Sequence, residues 1–216
     1  ITASHNPCEW LGLKIKGPFG GSVDSSFTDS VQARMKAGGL YIPIEGKTEI
    51  VDFRQQHLSG ISKKFDIPSI ANGLKKLGLR IIVDPMHGSA ASCMTELFEV
   101  HGKDLIYEIR DNRDTSFGGN PPEPMQCYLT QLIEKVQSSS KDGQLSIGLV
   151  FDGDGDRIAA IDENGRYCNT QLLMPVLIDH LAKFKNMAGC VVKTVSGSDL
   201  MRLVAEDLGR EVLEKP

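Results

Sequence analysis

Short apolar runs alternate with longer stretches of helical periodicity through the middle of the chain. The apolar runs predict buried strands at residues 79–85, 105–109 and 145–151. Apolar residues recurring every three or four positions predict helices at residues 90–101 and 125–139. The middle of the chain is therefore predicted to form a β-α-β-α-β unit.

Similar patterns flank this unit on both sides. A helix at 68–77 begins at a proline and ends before Gly78, an asymmetry typical of helix ends. After the unit, the pattern predicts a strand at 158–162, a turn at 163–166, a helix near 170–185, a strand at 190–194 and a helix at 198–208. We place domain boundaries near residues 55 and 165.

The alternation of strands and helices predicts the fold class. Parallel strands need crossover connections, and helices in those connections cover the faces of the sheet. We therefore expect an α/β protein built of consecutive βαβ-type domains, with mixed, largely parallel sheets covered by helices. Sites in such sheets form beyond the carboxyl ends of the strands, where Asp84 and Asp152 are expected to lie. The backbone amides of His87 and Gly88 are a phosphate-site candidate, although such a glycine more often only forms a turn.

Composition restricts the classes of function. Of the 216 residues, 40% are hydrophobic and 24% are charged, which are ordinary values for a globular protein. The net charge of −4 argues against a nucleic-acid partner, and no apolar run approaches the length of a membrane span. The five cysteines form no CxxC pair, so neither zinc nor a disulfide framework is indicated and a cytoplasmic location is expected.

An acidic segment, which we call the acidic loop, occupies residues 152–157 directly after a predicted strand. Alternate residues of an extended chain point the same way, so the carboxylates of Asp152, Asp154 and Asp156 can converge. The intervening Gly153 and Gly155 allow backbone angles that let the loop fold around an ion. Carboxylate oxygens suit Mg²⁺, Mn²⁺ or Ca²⁺, so the loop is predicted to bind such a metal.

The sequence of the acidic loop suggests two other structures. Aspartate and glycine are turn residues, so the segment is also compatible with a solvated acidic turn. An EF-hand would need acids at its first, third and fifth positions and a glutamate at the twelfth, which is Glu163 here. Arg157 stands where that loop needs glycine, and the flanks read as strands, so we exclude the EF-hand.

A second segment, which we call the serine loop, occupies residues 2–7. The Asn6-Pro7 dipeptide predicts a turn that holds Ser4 and His5 on a tight, irregular segment. A serine in a turn usually bonds only to the local backbone, so this segment alone is a weak signal. Downstream, Lys14 and Lys16 would share one side of a strand, where they either meet an anion or form a solvated face.

The two loops together predict phosphoryl transfer. A phosphoserine carries about −1.5 to −2 charges at neutral pH and would be repelled by bare carboxylates. A serine that carries a phosphoryl group beside the acidic loop therefore requires a metal ion.

The loops and several further motifs closely resemble the α-D-phosphohexomutase family, which includes phosphoglucomutases and phosphomannomutases. The matching segments are Ser4-His5-Asn6-Pro7, Gly12 with Lys14, Gly17-Pro18-Phe19-Gly20-Gly21, Val83-Asp84-Pro85-Met86-His87-Gly88, Phe117-Gly118-Gly119-Asn120-Pro121-Pro122-Glu123-Pro124 and the acidic loop. The resemblance covers nearly the whole chain. It departs from the family at Leu11, where asparagine is common, and an apolar side chain cannot make the hydrogen bonds of an amide.

The resemblance implies a reaction and its residues. It implies that Ser4 is phosphorylated, that Mg²⁺ is held by the acidic loop and an oxygen of phosphorylated Ser4, and that His5 helps to position the phosphoryl group. Lys14 and Arg157 resemble the cationic residues beside that group. The implied activity interconverts hexose 1-phosphate and hexose 6-phosphate through a phosphoserine enzyme and a hexose bisphosphate. Hexose 1,6-bisphosphate is the implied activator, and a small-molecule sugar phosphate is the implied partner.

The resemblance also gives the three predicted segments an identity. Residues 1–55 would be the C-terminal part of a first α/β domain with the phosphoserine loop. Residues 56–165 would be a second α/β domain that ends in the metal-binding loop, and 166–216 the beginning of a third. By this comparison the chain is a fragment without the sugar-recognition and phosphate-binding parts, so we expect no turnover from these 216 residues alone.

The sequence is also compatible with two rival functions. In a haloacid-dehalogenase-type phosphatase, Asp152 would be the nucleophile and Asp154 the acid-base. Asp156 occupies a position that this motif gives to threonine or valine, and Ser4 would then have no role. The other rival is a non-catalytic fragment that binds a metal or a sugar phosphate.

Overall fold

The computed structural model describes residues 1–38 and 45–216; residues 39–44 of the predicted segment 1–55 lie outside this description. The helices are α1 (Ser25–Lys36), α2 (Arg54–Lys64), α3 (Ile67–Leu77), α4 (Cys93–Gly102), α5 (Thr130–Lys141), α6 (Thr170–Lys183) and α7 (Asp199–Asp207). The strands are β1 (Arg80–Asp84), β2 (Ile106–Glu108), β3 (Ser146–Phe151), β4 (Ile158–Ile161), β5 (Tyr167–Cys168), β6 (Val191–Thr194) and β7 (Val212–Lys215).

The central sheet has five strands in the order β2-β1-β3-β4-β5. Strand β1 runs parallel to both β2 and β3, and its Ile81 lies between Ile106 and Ile147. Strands β4 and β5 continue the sheet in antiparallel fashion. The predicted β-α-β-α-β unit and the mixed, largely parallel sheet are thus confirmed.

Successive side chains of each strand point to opposite faces of this sheet, so both faces are apolar. Helices cover both faces and form two cores with them. On one face, Ile82 and Val150 pack with Leu132 and Val136 of α5. On the other face, Ile81 and Val83 pack against α3 and α4. The C-terminal ends of β1 and β3 therefore lie between two packed cores. Strand β1 ends at the buried Asp84, and β3 leads directly into the acidic loop.

Helix α3 illustrates how the local sequence sets the element bounds. Asp66 caps the helix by accepting a hydrogen bond from the backbone N–H of Ser69 at 3.0 Å. Gly78 ends it in the left-handed conformation with φ 61°. Its observed bounds differ by one residue from the predicted range 68–77.

Other predicted bounds shift at turns. Helix α4 begins at Cys93 rather than residue 90, because a run of turns follows β1. Helix α5 begins at Thr130 rather than residue 125, since a short 3₁₀ turn at Gln126–Tyr128 precedes it. Among the described residues, no helix is both long enough and apolar enough to span a bilayer.

The last part of the chain forms a small parallel sheet of β6 and β7 with α6 and α7. Its core consists of Ile178, Met201 and Ala205. The pattern predicted α6, β6 and α7 but not β7, whose residues are mostly exposed.

The first part of the chain departs most from the pattern. Helices α1 and α2 were not predicted, and α1 buries none of its residues, so it has no apolar stripe to detect. The strand suggested around Lys14 and Lys16 is reduced to one bridge between Lys16 and Ser22. The two lysines have different partners, Lys14 meeting Asp154 and Lys16 meeting Ser22.

Candidate functional site

The serine loop holds Ser4 in an uncommon backbone conformation. Its φ is 55°, in the left-handed region that non-glycine residues rarely adopt. The hydroxyl of Thr2 accepts a hydrogen bond from the Ser4 N–H at 2.8 Å, and the Asn6 N–H and side-chain amide both donate to the Ala3 carbonyl. The loop is therefore a tight turn that fixes the direction of the Ser4 side chain.

The acidic loop joins the antiparallel strands β3 and β4, so its flanks are strands as predicted. Asp152 is fully buried, and its Oδ1 accepts hydrogen bonds from the backbone N–H groups of Asp156 and Arg157 at 3.0 and 3.1 Å. Gly155 has φ 76°, which explains the glycine at that position. The carboxylates of Asp152, Asp154 and Asp156 each offer an oxygen within 4.8 Å of the others.

The serine loop and the acidic loop meet across about 150 positions of sequence. The Ser4 Oγ lies 3.1 Å from Asp152 Oδ2 and 3.2 Å from Asp154 Oδ1. The Thr2 hydroxyl donates to Asp154 Oδ2 at 3.2 Å. The structure thus brings together the hydroxyl and the carboxylates that the sequence singled out.

Gly153 makes this meeting sterically feasible. A Cβ atom at position 153 would stand 2.4 Å from the backbone carbonyl oxygen of Ser4. The sequence attributed Gly153 to unusual backbone angles, but the structure shows that the close approach of the serine loop is the constraint. A similar close approach occurs at Gly12. A Cβ atom there would stand 2.5 Å from the Thr2 carbonyl oxygen, so the backbone at position 12 also lies against the serine loop.

The departure at Leu11 leaves this arrangement intact. The Thr2 N–H donates to the Gly12 carbonyl at 2.9 Å, which ties the serine loop to the chain behind it. The Leu11 side chain itself is 80% exposed. An apolar residue at position 11 therefore does not disturb the backbone contact.

Lys14 lies at the carboxylates. Its Nζ donates to Asp154 Oδ2 at 2.8 Å and lies 3.5 Å from Asp156 Oδ2. The hydrogen bond to Asp154 raises the pKa of Lys14 above its usual value. Burial would raise the pKa of Asp154, but hydrogen bonds from Lys14 and Ser4 outweigh it and hold that pKa below its usual value. Lys14 is therefore a cation and Asp154 an anion at neutral pH.

His5 and Arg157 both lie near the carboxylate of Glu123 at the edge of the site. The His5 Nδ1 lies 3.4 Å from the Ser4 Oγ, and its Nε2 lies 3.9 Å from Glu123 Oε1. The exposed guanidinium of Arg157 lies 4.0 Å from the same Glu123 oxygen. Arg157 thus stands at the edge of the site with Glu123 as its acidic neighbour.

Thr2 and Glu123 were not assigned a role from the sequence. Both lay within segments already singled out, Thr2 two residues before Ser4 and Glu123 in the Asn-Pro-Pro-Glu-Pro motif. The separation of two residues could have indicated that Thr2 lies near Ser4. No local pattern indicates that Glu123 approaches His5 and Arg157.

His87 and Gly88 do not form a phosphate site. The His87 N–H donates to the Arg110 carbonyl at 2.9 Å, and the Gly88 N–H donates to the Pro85 carbonyl at 2.7 Å. Both amides are therefore occupied, and the glycine serves a turn, which is the plainer interpretation.

The donor set at the centre of the site fits a hard divalent cation. Three carboxylates and the Ser4 hydroxyl offer only oxygen atoms, which Mg²⁺ and Mn²⁺ prefer. Two or three protein ligands also leave coordination positions for a phosphate oxygen, the usual arrangement for Mg²⁺. The arrangement can therefore gather a metal, a hydroxyl nucleophile and a cationic side chain around one transferring group.

Comparisons with known proteins identify relatives of this chain. A family model described as phosphoglucomutase/phosphomannomutase, alpha/beta/alpha domain II, matches residues 55–165, just over half of the chain. A phosphoglucosamine mutase of Methanococcus vannielii is 29% identical over 214 residues, which is 99% of this chain and 46% of that protein. A phosphoglucomutase/phosphomannomutase of Thermococcus kodakarensis is 27% identical over 221 residues, which is 99% of this chain and 45% of that protein.

A solved structure shares the fold. The phosphoglucomutase pp63/parafusin of Paramecium, in its open form, superimposes with a TM-score of 0.77 at 20% identity, covering 99% of this chain and 43% of that one. At this identity the likeness concerns the fold alone. The chain spans about half the length of the curated relatives it matches.

Proposed function

The chain belongs to the α-D-phosphohexomutase family, and from this premise we propose that it carries the phosphoserine and metal-binding part of a hexose phosphate mutase. The enzyme would be an intramolecular phosphotransferase that interconverts hexose 1-phosphate and hexose 6-phosphate. The relatives are named for glucosamine, glucose and mannose phosphates, so the substrate class is a hexose or hexosamine monophosphate.

One observation carries this proposal: the Ser4 Oγ lies within 3.1 and 3.2 Å of the carboxylates of Asp152 and Asp154. The uncommon backbone conformation of Ser4 directs its hydroxyl towards two carboxylates, which suits a serine that carries a phosphoryl group. Phosphoryl transfer relies mainly on alignment and on stabilisation of charge, and both are supplied here by fixed loops.

The proposed reaction uses residues of this chain at each step. The bond between phosphorus and the Ser4 Oγ breaks as the phosphorus bonds to a sugar hydroxyl oxygen. The proton that the sugar hydroxyl loses is matched by the proton that Ser4 regains. The resulting bisphosphate turns around and returns its other phosphoryl group to Ser4. Hexose 1,6-bisphosphate would be the activator, because it can phosphorylate a free Ser4.

The neighbouring side chains have separate roles. Asp152, Asp154 and Asp156 would hold Mg²⁺ together with an oxygen of phosphorylated Ser4, and the bound ion supplies positive charge to the transferring phosphoryl oxygens. Lys14, which lies 2.8 Å from Asp154, supplies a second positive charge there. Arg157 contributes a third from the edge of the site, and His5, 3.4 Å from the Ser4 Oγ, orients the group.

The haloacid-dehalogenase alternative fits the geometry less well. Asp152 is buried, its Oδ1 accepts two backbone hydrogen bonds, and its Oδ2 faces the Ser4 hydroxyl. A nucleophilic carboxylate needs an oxygen that faces a substrate, whereas here Ser4 stands in front of it.

Covalent labelling tests the proposal. The intact protein is incubated with Mg²⁺ and glucose 1,6-bisphosphate carrying ³²P. We expect an acid-stable, hydroxylamine-resistant phosphoserine at position 4, located by mass spectrometry and absent from Ser4→Ala. A hydroxylamine-labile label on Asp152 would favour the dehalogenase-type reaction. No label, together with retained Mn²⁺ binding, would favour the non-catalytic fragment.

The preferred substrate is identified by comparing turnover of the intact protein on glucose 1-phosphate, mannose 1-phosphate and glucosamine 1-phosphate in parallel.

We propose the cytoplasm as the location of the protein. All five cysteines are unpaired, which suits a reducing compartment. Fractionation of the source cells checks this location.

A further inference from the structure

A buried ion pair outside the proposed catalytic residues joins the ends of two neighbouring strands. Asp84 ends β1 and is fully buried, and Arg110 follows β2 with a side chain that is 10% exposed. The guanidinium binds the carboxylate with two bonds, Nε to Oδ1 at 2.9 Å and a terminal nitrogen to Oδ2. The proposed reaction assigns no role to this pair.

The pair fixes the turn that follows β1. Asp84 Oδ1 also accepts a hydrogen bond from the Met86 N–H at 3.0 Å, and the Arg110 carbonyl accepts one from the His87 N–H at 2.9 Å. Met86, His87 and Arg110 all have left-handed backbone angles, with φ of 51°, 62° and 49°. Such conformations persist only where surrounding contacts enforce them, and the ion pair and its backbone bonds do so here.

This turn contacts the acidic loop directly. The Ser89 N–H donates to the Gly153 carbonyl at 3.0 Å. A Cβ atom at Gly88 would stand 2.6 Å from the same carbonyl oxygen, so the two backbones are in close contact. Gly153 lies between Asp152 and Asp154, whose carboxylates face Ser4.

We propose that Asp84 and Arg110 are positioning residues for the acidic loop. Through the turn at residues 85–89 they set the place of Gly153 and thereby the spacing of the Asp152 and Asp154 carboxylates. This inference rests on the metal-binding role of the acidic loop in the proposed function. Neither residue touches the reacting atoms.

The Asp84–Arg110 pair is better suited to orienting the two strand ends than to stabilising the fold. A buried ion pair is a weak source of net stability, because desolvation of both charges offsets their attraction. The planar guanidinium can hold a carboxylate with two parallel bonds, whereas a lysine ammonium is a point charge. The two-bond contact fixes the direction of both strand ends, which a simple charge pair would not.

Binding of Mn²⁺ to the 216-residue chain tests the inference, with free Mn²⁺ measured by electron paramagnetic resonance. Arg110→Lys keeps the charge and loses the two-bond geometry, so the affinity should fall about 10-fold to 100-fold, as for other outer residues that orient metal ligands. Ile106→Val is the matched control, because it removes one buried carbon atom from β2 of the same sheet, in the core on the face opposite to Met86 of the turn. It should lower the urea midpoint and leave the Mn²⁺ affinity unchanged.

A second variant changes the contact between the turn and Gly153 and leaves the Asp84–Arg110 pair in place. Gly88→Ala places a Cβ against the Gly153 carbonyl at a residue whose φ is not positive, so the backbone angles tolerate alanine. It should weaken Mn²⁺ binding even if Arg110→Lys does not fold. Wild-type affinity in Gly88→Ala and in any folded Arg110→Lys protein would overturn the inference alone. Failure of the wild-type chain to bind Mn²⁺, or equal binding by Asp154→Asn, would overturn the proposed metal site as well.

Discussion

The backbone of Ser4 rests on Gly153, so closely that a Cβ atom at position 153 would stand 2.4 Å from the Ser4 carbonyl oxygen. The side chain of the same serine reaches the carboxylates on either side of that glycine, at 3.1 and 3.2 Å. The distance between the hydroxyl and the acids is therefore set by a contact between two backbones, and the absence of a side chain at position 153 is a condition for it.

Gly153→Ala should separate the two loops. The added methyl group meets backbone atoms that cannot rotate away, and overpacking of this kind destabilises by about 1–3 kcal/mol. Because a displacement of about 1 Å can slow a positioned reaction about 10²-fold, labelling of Ser4 by hexose bisphosphate should slow by that order. Gly73→Ala is the control, since nothing lies within 4 Å of that position in α3 and alanine should stabilise the helix by about 1 kcal/mol. Equal labelling rates for the two variants would contradict the prediction.

Lys14→Met should slow phosphoryl transfer and leave the fold intact. The ammonium is half exposed, and its partners among the described residues are carboxylates of the site. Its removal therefore leaves developing charge on the phosphoryl oxygens less stabilised. Loss of one such group commonly slows a reaction about 10²-fold to 10³-fold. Lys16→Met is the matched control, because Lys16 bonds to the Ser22 hydroxyl instead. The rate of Ser4 labelling measures both variants, and a similar loss in each would show that general charge is responsible.

The sequence predicted those parts of the fold that depend on local patterns. The apolar run before Asp152 and the proline start and Gly78 end of α3 are features of adjacent residues. The convergence of Asp152, Asp154 and Asp156 also follows from their spacing of two along the chain. These predictions needed no knowledge of how distant segments pack.

The remaining features depend on contacts between distant segments. The meeting of Ser4 with the acidic loop was implied by the family resemblance, because no periodicity links positions 4 and 152. Glu123, which approaches both His5 and Arg157, and the Asp84–Arg110 pair have no local signature either. Helix α1 escaped prediction for a related reason, since it buries no side chain among the described residues and its pattern has no apolar face.

The stability of α3 should fall in acid through the titration of Asp66. Backbone and side-chain hydrogen bonds from Ser69 lower the pKa of Asp66 below its usual value. A carboxyl group with a lowered pKa in the folded state stabilises the fold above its unfolded pKa, and the effect is lost as the pH falls through the folded value. Below about pH 4, wild type should therefore lose stability relative to Asp66→Asn, which keeps the capping oxygen but does not titrate. Urea midpoints between pH 2 and 7 measure this, and parallel curves for the two proteins would sink the prediction.

Asp152→Ala and Asp156→Ala should differ in their effect on stability, although both residues are proposed to hold the metal. Asp152→Ala removes the carboxylate that accepts hydrogen bonds from the N–H groups of Asp156 and Arg157, so the metal-free chain should lose about 2 kcal/mol of unfolding free energy. The Asp156 side chain is 60% exposed, so Asp156→Ala should leave the stability of the metal-free chain nearly unchanged. Both variants should weaken Mn²⁺ binding. Urea unfolding in a chelator, followed by Mn²⁺ titration, separates the two effects, and Asp29→Asn on the exposed surface of α1 is the control for loss of charge alone. An equal loss of stability in both variants would mean that the buried Asp152 does not hold the loop as its hydrogen bonds indicate.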